Sequence, residues 1–333
     1  MFSLKEFTKI IQIFPYKNKF AIGVSGGADS MALTLLFNEF LLNTLGSNEN
    51  LIAVTVDHRL RPESRDEAEQ VHLWLSKYKM NHKVLTWEHA PLASQIEEAS
   101  RQARYQLLTG FCKENGITAL YTAHHAGDQT ETFLMRLKRG ASLTGLCSIR
   151  PISYLNQIQI IRPLLEIPQE DLKEILQQYF KQDYINDSSN EDEKFERVFI
   201  RKSWMVLEEI GLKKQAVISS IKYLQNLENQ LQDLAKKAIK DYIQKENGII
   251  KFSVELTKTQ IPQVVKMVLS NVFLQVCENK TPCSQGILDR LYEKITKRDF
   301  RAATARGCII RKKSGFLEIL KENRPLKTSN RPP

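Results

Sequence analysis

The sequence predicts an α/β protein: a doubly wound parallel sheet, followed by a second, smaller, mainly helical domain. Two observations lead there. Short β-branched runs alternate with longer stretches of helical spacing through the first 140 residues, a pattern that parallel strands and crossover helices satisfy. The first strand also ends in a glycine turn that opens a helix, which places a ligand site at the carboxyl ends of the strands.

After an apolar leader, residues 20–24 read as a buried strand that breaks at Ser25-Gly26-Gly27, and residues 31–45 follow as helix. Residues 51–56 give a second strand, 63–79 a charged amphipathic helix and 83–87 a weaker third strand. Helix at 95–113, strand at 118–122 and helix at 128–138 complete the alternation. Beyond Gly140 the pattern loosens. Residues 157–161 read as a strand, and Pro168 opens a helix to about Phe180, because its fixed φ and missing N–H suit a first helical turn. Residues 183–193 form an acidic polar loop. From Leu212 to about Lys245 no Gly or Pro interrupts the helical spacing, which predicts one long helix or a tight pair. The domain boundary falls near residue 212, giving domains 1–212 and 213–333. The second mixes helices at 260–276 and 285–297 with short strands at 249–254 and 308–320.

With 333 residues, 42% apolar and 26% charged, the chain has room for two or three domains with true cores. No apolar run reaches membrane-spanning length, and Lys5, Glu6, Lys9, Lys17 and Lys19 interrupt any secretory signal, so a cytoplasmic location is expected. Five cysteines (Cys112, Cys147, Cys277, Cys283, Cys308) without a C-x-x-C indicate reduced thiols rather than a disulfide framework or a sulfur metal site. The net charge of +10 suits a polyanionic partner. Residues 301–333 hold nine basic side chains against two acidic ones, so most of the excess sits at one end.

The strongest chemical signal is Ser25-Gly26-Gly27-Ala28-Asp29-Ser30 between strand and helix. Paired glycines permit positive φ and close backbone approach, so successive N–H groups at a helix start can cradle an anion, with Ser25 and Ser30 as added donors. The lysine of a Walker loop is missing, and a dinucleotide G-x-G-x-x-G fails as well. The plainer alternative is a tight turn with Asp29 or Ser30 as helix N-cap.

This loop resembles the S-G-G-x-D-S pyrophosphatase loop of the N-type ATP pyrophosphatases, or PP-loop enzymes, which cleave ATP between its α and β phosphates. Further segments, in order, resemble the motifs of the tRNA(Ile)-lysidine synthases. They are Val56-Asp57-His58-Arg59-Leu60-Arg61-Pro62-Glu63-Ser64, Glu97-Glu98-Ala99-Ser100-Arg101-Gln102-Ala103-Arg104-Tyr105 and Ala123-His124-His125-Ala126-Gly127-Asp128-Gln129-Thr130-Glu131-Thr132. Arg139-Gly140, Gly145-Leu146, Arg162-Pro163-Leu164-Leu165, Asp187-Ser188-Ser189-Asn190 and Arg197-Val198-Phe199-Ile200-Arg201 continue the series, so the match covers about residues 18–205. That family usually carries a second aspartate where Gly127 stands, Gly where Arg59 and Ser142 stand, and Asn where Val198 stands.

The resemblance implies a Rossmann-like sheet, ATP and Mg²⁺ as cofactors, and isoleucine tRNA and free L-lysine as partners. It also implies the reaction: adenylation of O2 of the wobble cytidine in a CAU anticodon, then displacement of AMP by the lysine ε-amine. Residues 25–30 would bind phosphate, Asp29 and Asp128 would contact metal or substrate, and Asp128 or Glu131 would position the amine. Arg104 would take part in the site, with Arg101 undecided. No membrane and no protein partner is expected.

From the residues alone, Asp128, Glu131 and Thr132 have helical i, i+3, i+4 spacing and share one face at the end of the fourth strand. Asp128 as N-cap with Glu131 three positions on is the structural alternative. The adjacent His124 and His125 point to opposite faces of a strand and read as no metal pair. Arg101 and Arg104 suit forked binding of phosphate or carboxylate, or simple pairing with Glu97 and Glu98. Lys138 and Arg139 beside Gly140 suit an RNA backbone, and Arg311, Lys312 and Lys313 suit a grip on the tRNA body, the alternative in each case being solvated surface. A tRNA thiolase on the same fold would bring paired cysteines, which are missing. A non-catalytic RNA-binding module would leave the loop carboxylates without a role.

Overall fold

The structure is a computed structural model that describes residues 2–89, 96–186, 196–246, 249–276 and 283–322. The chain divides into two compact units, residues 1–141 with 145–222, and residues 142–144 with 223–333.

The first unit opens with α1 (Leu4–Ile11), started by a capping box in which Ser3 and Glu6 each bond the other's backbone N–H. Then come β1 (Phe20–Gly23), α2 (Ala28–Leu45), β2 (Leu51–Asp57), α3 (Ser64–Lys77), β3 (Asn81–Thr86), α4 (Ile96–Glu114), β4 (Ala119–Tyr121) and α5 (Ala126–Lys138). After a single turn α6 (Leu143–Leu146), the hairpin β5 (Ile152–Leu155) and β6 (Ile158–Ile161) closes the sheet. The strand order is β3-β2-β1-β4-β6-β5, every pairing parallel except β5 on β6. This is the doubly wound sheet that the alternation predicts, extended by one antiparallel edge strand.

Strand periodicity divides the core between the two faces. Phe20, Ile22, Ala119 and Tyr121 face one cluster, while Ala21 and Leu120 face the other. On the first face Phe7, Phe20, Phe37 and Tyr121 meet at ring-centroid distances of 4.8 to 5.4 Å. Helix α2 is apolar nearly all round, so it lies buried rather than at the surface, and Gly46 ends it at φ +71 with its N–H on Leu42 O.

The helix opened by Pro168 is α7 (Gln169–Glu174), which continues as a π-helical turn over Ile175–Tyr179. Helix α8 (Glu196–Glu209) lies beyond what the sequence reading foresaw, and the long run is one helix, α9 (Lys214–Tyr242). The division between units falls within α9, after Lys222.

The second unit adds β7 (Ile243–Glu246), β8 (Ile249–Ser253), α10 (Leu256–Thr259), α11 (Pro262–Val276), α12 (Gln285–Ile295), β9 (Ala302–Ala305), β10 (Cys308–Lys313) and β11 (Phe316–Lys321). Its strands form an antiparallel sheet in the order β7-β8-β11-β10-β9, more extensive than the two short strands expected beside the helices. Phe252, Ile310, Leu317 and Ile319 from the sheet pack with Val264, Val268, Phe273 and Leu288 from the helices. No described helix is long and apolar enough to cross a membrane.

Candidate active site

The sheet order decides where chemistry can sit. Strands β1 and β4 are parallel neighbours, while the chain after β1 moves toward β2 and β3 and the chain after β4 moves the other way. Segments leaving these two strands therefore open a crevice at their carboxyl ends, which is where such sheets bind ligands. The glycine loop leaves β1, and the His124–Thr132 segment leaves β4.

The loop is braced by hydrogen bonds within itself and to residue 185. Ser25 N donates to Ser30 Oγ at 3.1 Å, and that hydroxyl donates to Gly27 O at 3.0 Å. Gly26 has φ +85, and its carbonyl accepts from Ile185 N at 2.9 Å. A Cβ there would stand 2.5 Å from Ile185 Cδ1 and 2.8 Å from Val71 Cγ2, so both torsion and space demand glycine. Gly27, with extended φ −68 and ψ 158, is the N-cap of α2, and no side chain caps the helix there. The capping role considered for Asp29 or Ser30 is thus not what they do: Asp29 lies in the first turn and Ser30 braces the loop. The first-turn N–H groups of α2, around Ala28, Asp29 and Ser30, have no acceptor within the helix.

Asp29 Oδ2 accepts from Gln169 Nε2 at 2.9 Å and stands 3.6 Å from His125 Nε2, while its Oδ1 is buried with no partner among the described residues. Burial raises the Asp29 carboxyl above its ordinary range, and His125 and Gln169 oppose that rise.

His125 is the N-cap of α5. Its Nδ1 accepts from Gly127 N at 3.0 Å, and its own backbone N–H donates to Asp128 Oδ2 at 3.0 Å. Asp128 is therefore not the N-cap but its reciprocal partner three residues on. Asp128 Oδ2 also lies 3.6 Å from His125 Nε2. Burial works against ionisation of Asp128, but His125, His124, the His125 N–H and Arg197 together hold its carboxyl below the usual range. His124 turns elsewhere, with Nδ1 3.0 Å from Thr122 Oγ1, and burial pushes its imidazole far below the usual value.

The rest of the segment divides between scaffold and site. Gln129 clamps Ile149 by two backbone bonds of 2.8 and 2.9 Å, and Thr130 bonds Gly127 O. Glu131 is buried, with Oε1 accepting from Arg201 Nε at 2.8 Å and Oε2 left with no partner among the described residues. Burial disfavours the Arg201 charge, but Glu131, then Asp128 and Asp29, more than compensate, so this guanidinium pairs with Glu131 and is favoured by the other two carboxylates. Thr132 Oγ1 is buried with no partner among the described residues.

Arg104 is set into the protein, whereas Arg101 is exposed. Burial lowers the Arg104 pKa; Tyr105 and Asp128 oppose that, while Arg101 and Arg197 reinforce it. Both guanidinium carbons lie 5.4 to 5.6 Å from the Tyr105 ring centroid. Glu98 binds Gln102 instead of an arginine, and the Glu97 side chain lies outside the described residues. Lys138 and Arg139 both grip Glu196 of α8, Lys138 at 3.3 Å, so neither is a free cation.

In the second unit, Arg311, Lys312 and Lys313 lie on β10 and do not share a face. Arg311 pairs in register with Glu318 and Lys313 with Phe316, while Lys312 follows the buried side of Cys308 and Ile310 and donates from Nζ to Arg298 O at 3.3 Å. Asp187-Ser188-Ser189-Asn190, Cys277, and Arg324, Lys327 and Arg331 of the basic tail lie outside the described residues. Among the described residues, no group of three or more His, Cys, Asp or Glu side chains is arranged to hold a metal.

The sequence reading did not single out His125, Gln169 or Arg201 as site members. The i, i+4 spacing of Arg197 and Arg201 was the available signal for the last.

Comparison with known proteins agrees with this geometry. Residues 3–208 match the family described as the PP-loop domain. The tRNA(Ile)-lysidine synthase of Orientia tsutsugamushi (strain Boryong) is 33% identical over 320 residues, covering 93% of this chain and 71% of that protein. That of Rickettsia prowazekii (strain Madrid E) is 31% identical over 311 residues, covering 92% and 70%. The U34-tRNA thiolase NcsA from Methanococcus maripaludis shares the fold at a TM-score of 0.55 and 19% identity, over 66% of this chain and 78% of that one. With the glycine loop and the Asp29 and Asp128 carboxylates gathered at one crevice, and with relatives matched over most of its length, the chain belongs to the PP-loop family, among the tRNA(Ile)-lysidine synthases.

Proposed function

We propose that this chain uses ATP to join free L-lysine to C2 of the wobble cytidine of an isoleucine tRNA with a CAU anticodon, in the cytoplasm. The observation that carries the reading is the meeting of Asp29 and Asp128, from helices that follow different strands, 3.6 Å from one imidazole nitrogen beside the anion-binding loop.

In the first step O2 of cytidine attacks the α-phosphorus of ATP and pyrophosphate leaves. In the second the lysine ε-amine adds at C2, AMP departs with the former O2, and the amine gives up its proton. The first-turn N–H groups of α2 favour the charge on the phosphates. Asp29 offers a buried Oδ1 with no partner among the described residues and Asp128 a second carboxylate, hard oxygen donors that fit Mg²⁺. When bound, Mg²⁺ would neutralise charge on the leaving pyrophosphate. Asp128 or Glu131 would orient the ammonium and accept its proton, with Arg104 and Arg201 favouring anionic groups nearby. Lys138, Arg139, Arg311, Lys312 and Lys313 are the basic residues assigned to RNA.

A thiolase would need reactive thiols at this crevice. Cys112 and Cys308 instead lie in the apolar cores, and burial pushes the Cys112 thiol up to about 12.

Mass spectrometry of isoleucine tRNA after incubation with ATP and lysine tests the assignment, the expected result being a lysyl gain on the wobble cytidine. Pyrophosphate release should require the cognate tRNA. Lysine-dependent ATP–pyrophosphate exchange without RNA would overturn the reading, because it would mean that the amino acid and not the RNA is activated.

A further inference from the structure

His72 and His82 meet at the far end of the sheet from the crevice, and the reaction described above uses neither. His82 is the second residue of β3, at the amino end of that strand, and His72 stands on α3. Their Nδ1 atoms are 3.2 Å apart. The ring planes are inclined by 29° and the ring centroids lie 5.4 Å apart, so both nitrogens fall close to the line between the centroids and the rings meet edge to edge. Two imidazole lone pairs aimed into one gap repel each other unless a proton or a metal cation stands between them.

The far side of His82 favours a metal. Its Nε2 is 2.8 Å from Oγ1 of Thr55, a residue buried in β2. With that hydroxyl accepting the Nε2 proton, Nδ1 keeps its lone pair, and a partner of this kind on the outer nitrogen orients a metal-bound imidazole. Burial, reinforced by the neighbouring His72, pushes the His82 pKa down to about 4, so protonation does not block Nδ1 at neutral pH. His72 is exposed, which gives an ion a path from solvent and leaves room for water to complete its shell. Two metal–nitrogen bonds at a tetrahedral angle put the nitrogens about 3.3 Å apart, close to the spacing found. The ring turns still needed fall on the terminal histidine torsion, which is soft. In the metal-free protein the His72 Nδ1 proton fills the gap. When the ion enters, that proton passes through water to Nε2 of the same ring, and the neutral pair releases none.

We propose that His72 and His82, with Thr55 orienting the second ring, bind one divalent ion of the imidazole-preferring transition metals, Cu²⁺, Ni²⁺ or Zn²⁺, which ties α3 to β3. The inference stands apart from the adenylation reading and survives its failure.

Electron paramagnetic resonance of the full chain with one equivalent of Cu²⁺ tests it. The expected spectrum shows coupling to two imidazole nitrogens and persists in about a hundredfold excess of Mg²⁺, which prefers oxygen donors and competes only at carboxylate sites. His72→Gln changes an exposed side chain, so the variant should fold as wild type does and lose the two-nitrogen coupling. Thr55→Val keeps both ligands and a β-branched shape in the strand, and should weaken Cu²⁺ binding by about 10–100-fold. Zn²⁺ should raise Tm in the wild type and not in His72→Gln, because an ion that binds only the folded state stabilises it. Absence of two-nitrogen coupling in the wild type at about 100 μM Cu²⁺, its loss on adding Mg²⁺, or its persistence in His72→Gln overturns the site. Undiminished affinity in Thr55→Val overturns the part given to Thr55.

Discussion

Arg201 Nε stands 2.8 Å from Glu131 Oε1, and the two ends of this pair are unequally exposed: 6% of the carboxylate side chain is accessible against 48% of the arginine. The cost of breaking it is therefore asymmetric. Arg201→Ala leaves a buried charge unpaired and should destabilise by about 1–3 kcal/mol, whereas Glu131→Gln leaves a half-solvated guanidinium and should cost less. The double variant should recover most of the Arg201→Ala loss, and a double-mutant cycle in urea reads this directly. Glu131→Gln should remain folded and be impaired in lysidine formation.

Burial disfavours the charged form of the Asp29 carboxyl. A carboxyl raised by burial favours the folded state while protonated, and that advantage is lost as pH rises through its folded pKa. Asp29→Asn should consequently raise Tm at neutral pH, by more than it does near pH 4, while abolishing ATP cleavage. A lower Tm at pH 7, or near-normal pyrophosphate release, contradicts the assignment.

Asp128 has the opposite sign. Its lowered pKa gives stability that is complete above the ordinary carboxyl value of 3.8 and is lost as pH falls through the folded value. The stability gap between wild type and Asp128→Asn should be level through neutral pH and close in acid. Circular dichroism melts across pH measure it.

Arg59 occupies the left-handed region at φ 52, where the family usually has glycine, and reaches Glu88 at 3.0 Å. Relief of about 1–2 kcal/mol of left-handed strain is offset by the extra chain entropy of glycine, about 0.5–1 kcal/mol, and by loss of an exposed ion pair worth about 0–1 kcal/mol. Arg59→Gly should thus change stability by less than about 1 kcal/mol, while Arg59→Val, which keeps the strain and adds β-branching, should lower it by about 1 kcal/mol or more.

For tRNA docking, the register of β10 turns a three-residue cluster into two outward cations and one held by Arg298 O. Replacing Arg311 and Lys313 with Gln should flatten the slope of log affinity against log salt by up to about two units, and adding Lys312→Gln should change it little further. A uniform loss of about one unit per residue would show that all three reach phosphate.

Much of this protein is legible in one dimension because its signals are local. The β1 to α5 alternation follows from periods of 2 and 3.6, and the Gly26 turn follows from a torsion that the residue type alone reveals. The family motifs are likewise contiguous strings. Even α1, passed over as an apolar leader, was announced by Ser3 and Glu6. What stayed hidden depends on contacts between distant segments. That Gln169 would reach Asp29 across 140 positions, or Arg201 reach Glu131 across 70, follows only from β1 lying beside β4 and from α8 packing on α5. The placing of Asp128 was likewise set in three dimensions: its capping partnership with His125 is local, whereas the folded sheet brings Asp29 to the same imidazole edge. Sequence determined which side chains were available and on which local element each would stand, while the tertiary fold decided which would meet, because parallel pairing joins strands that the chain visits far apart.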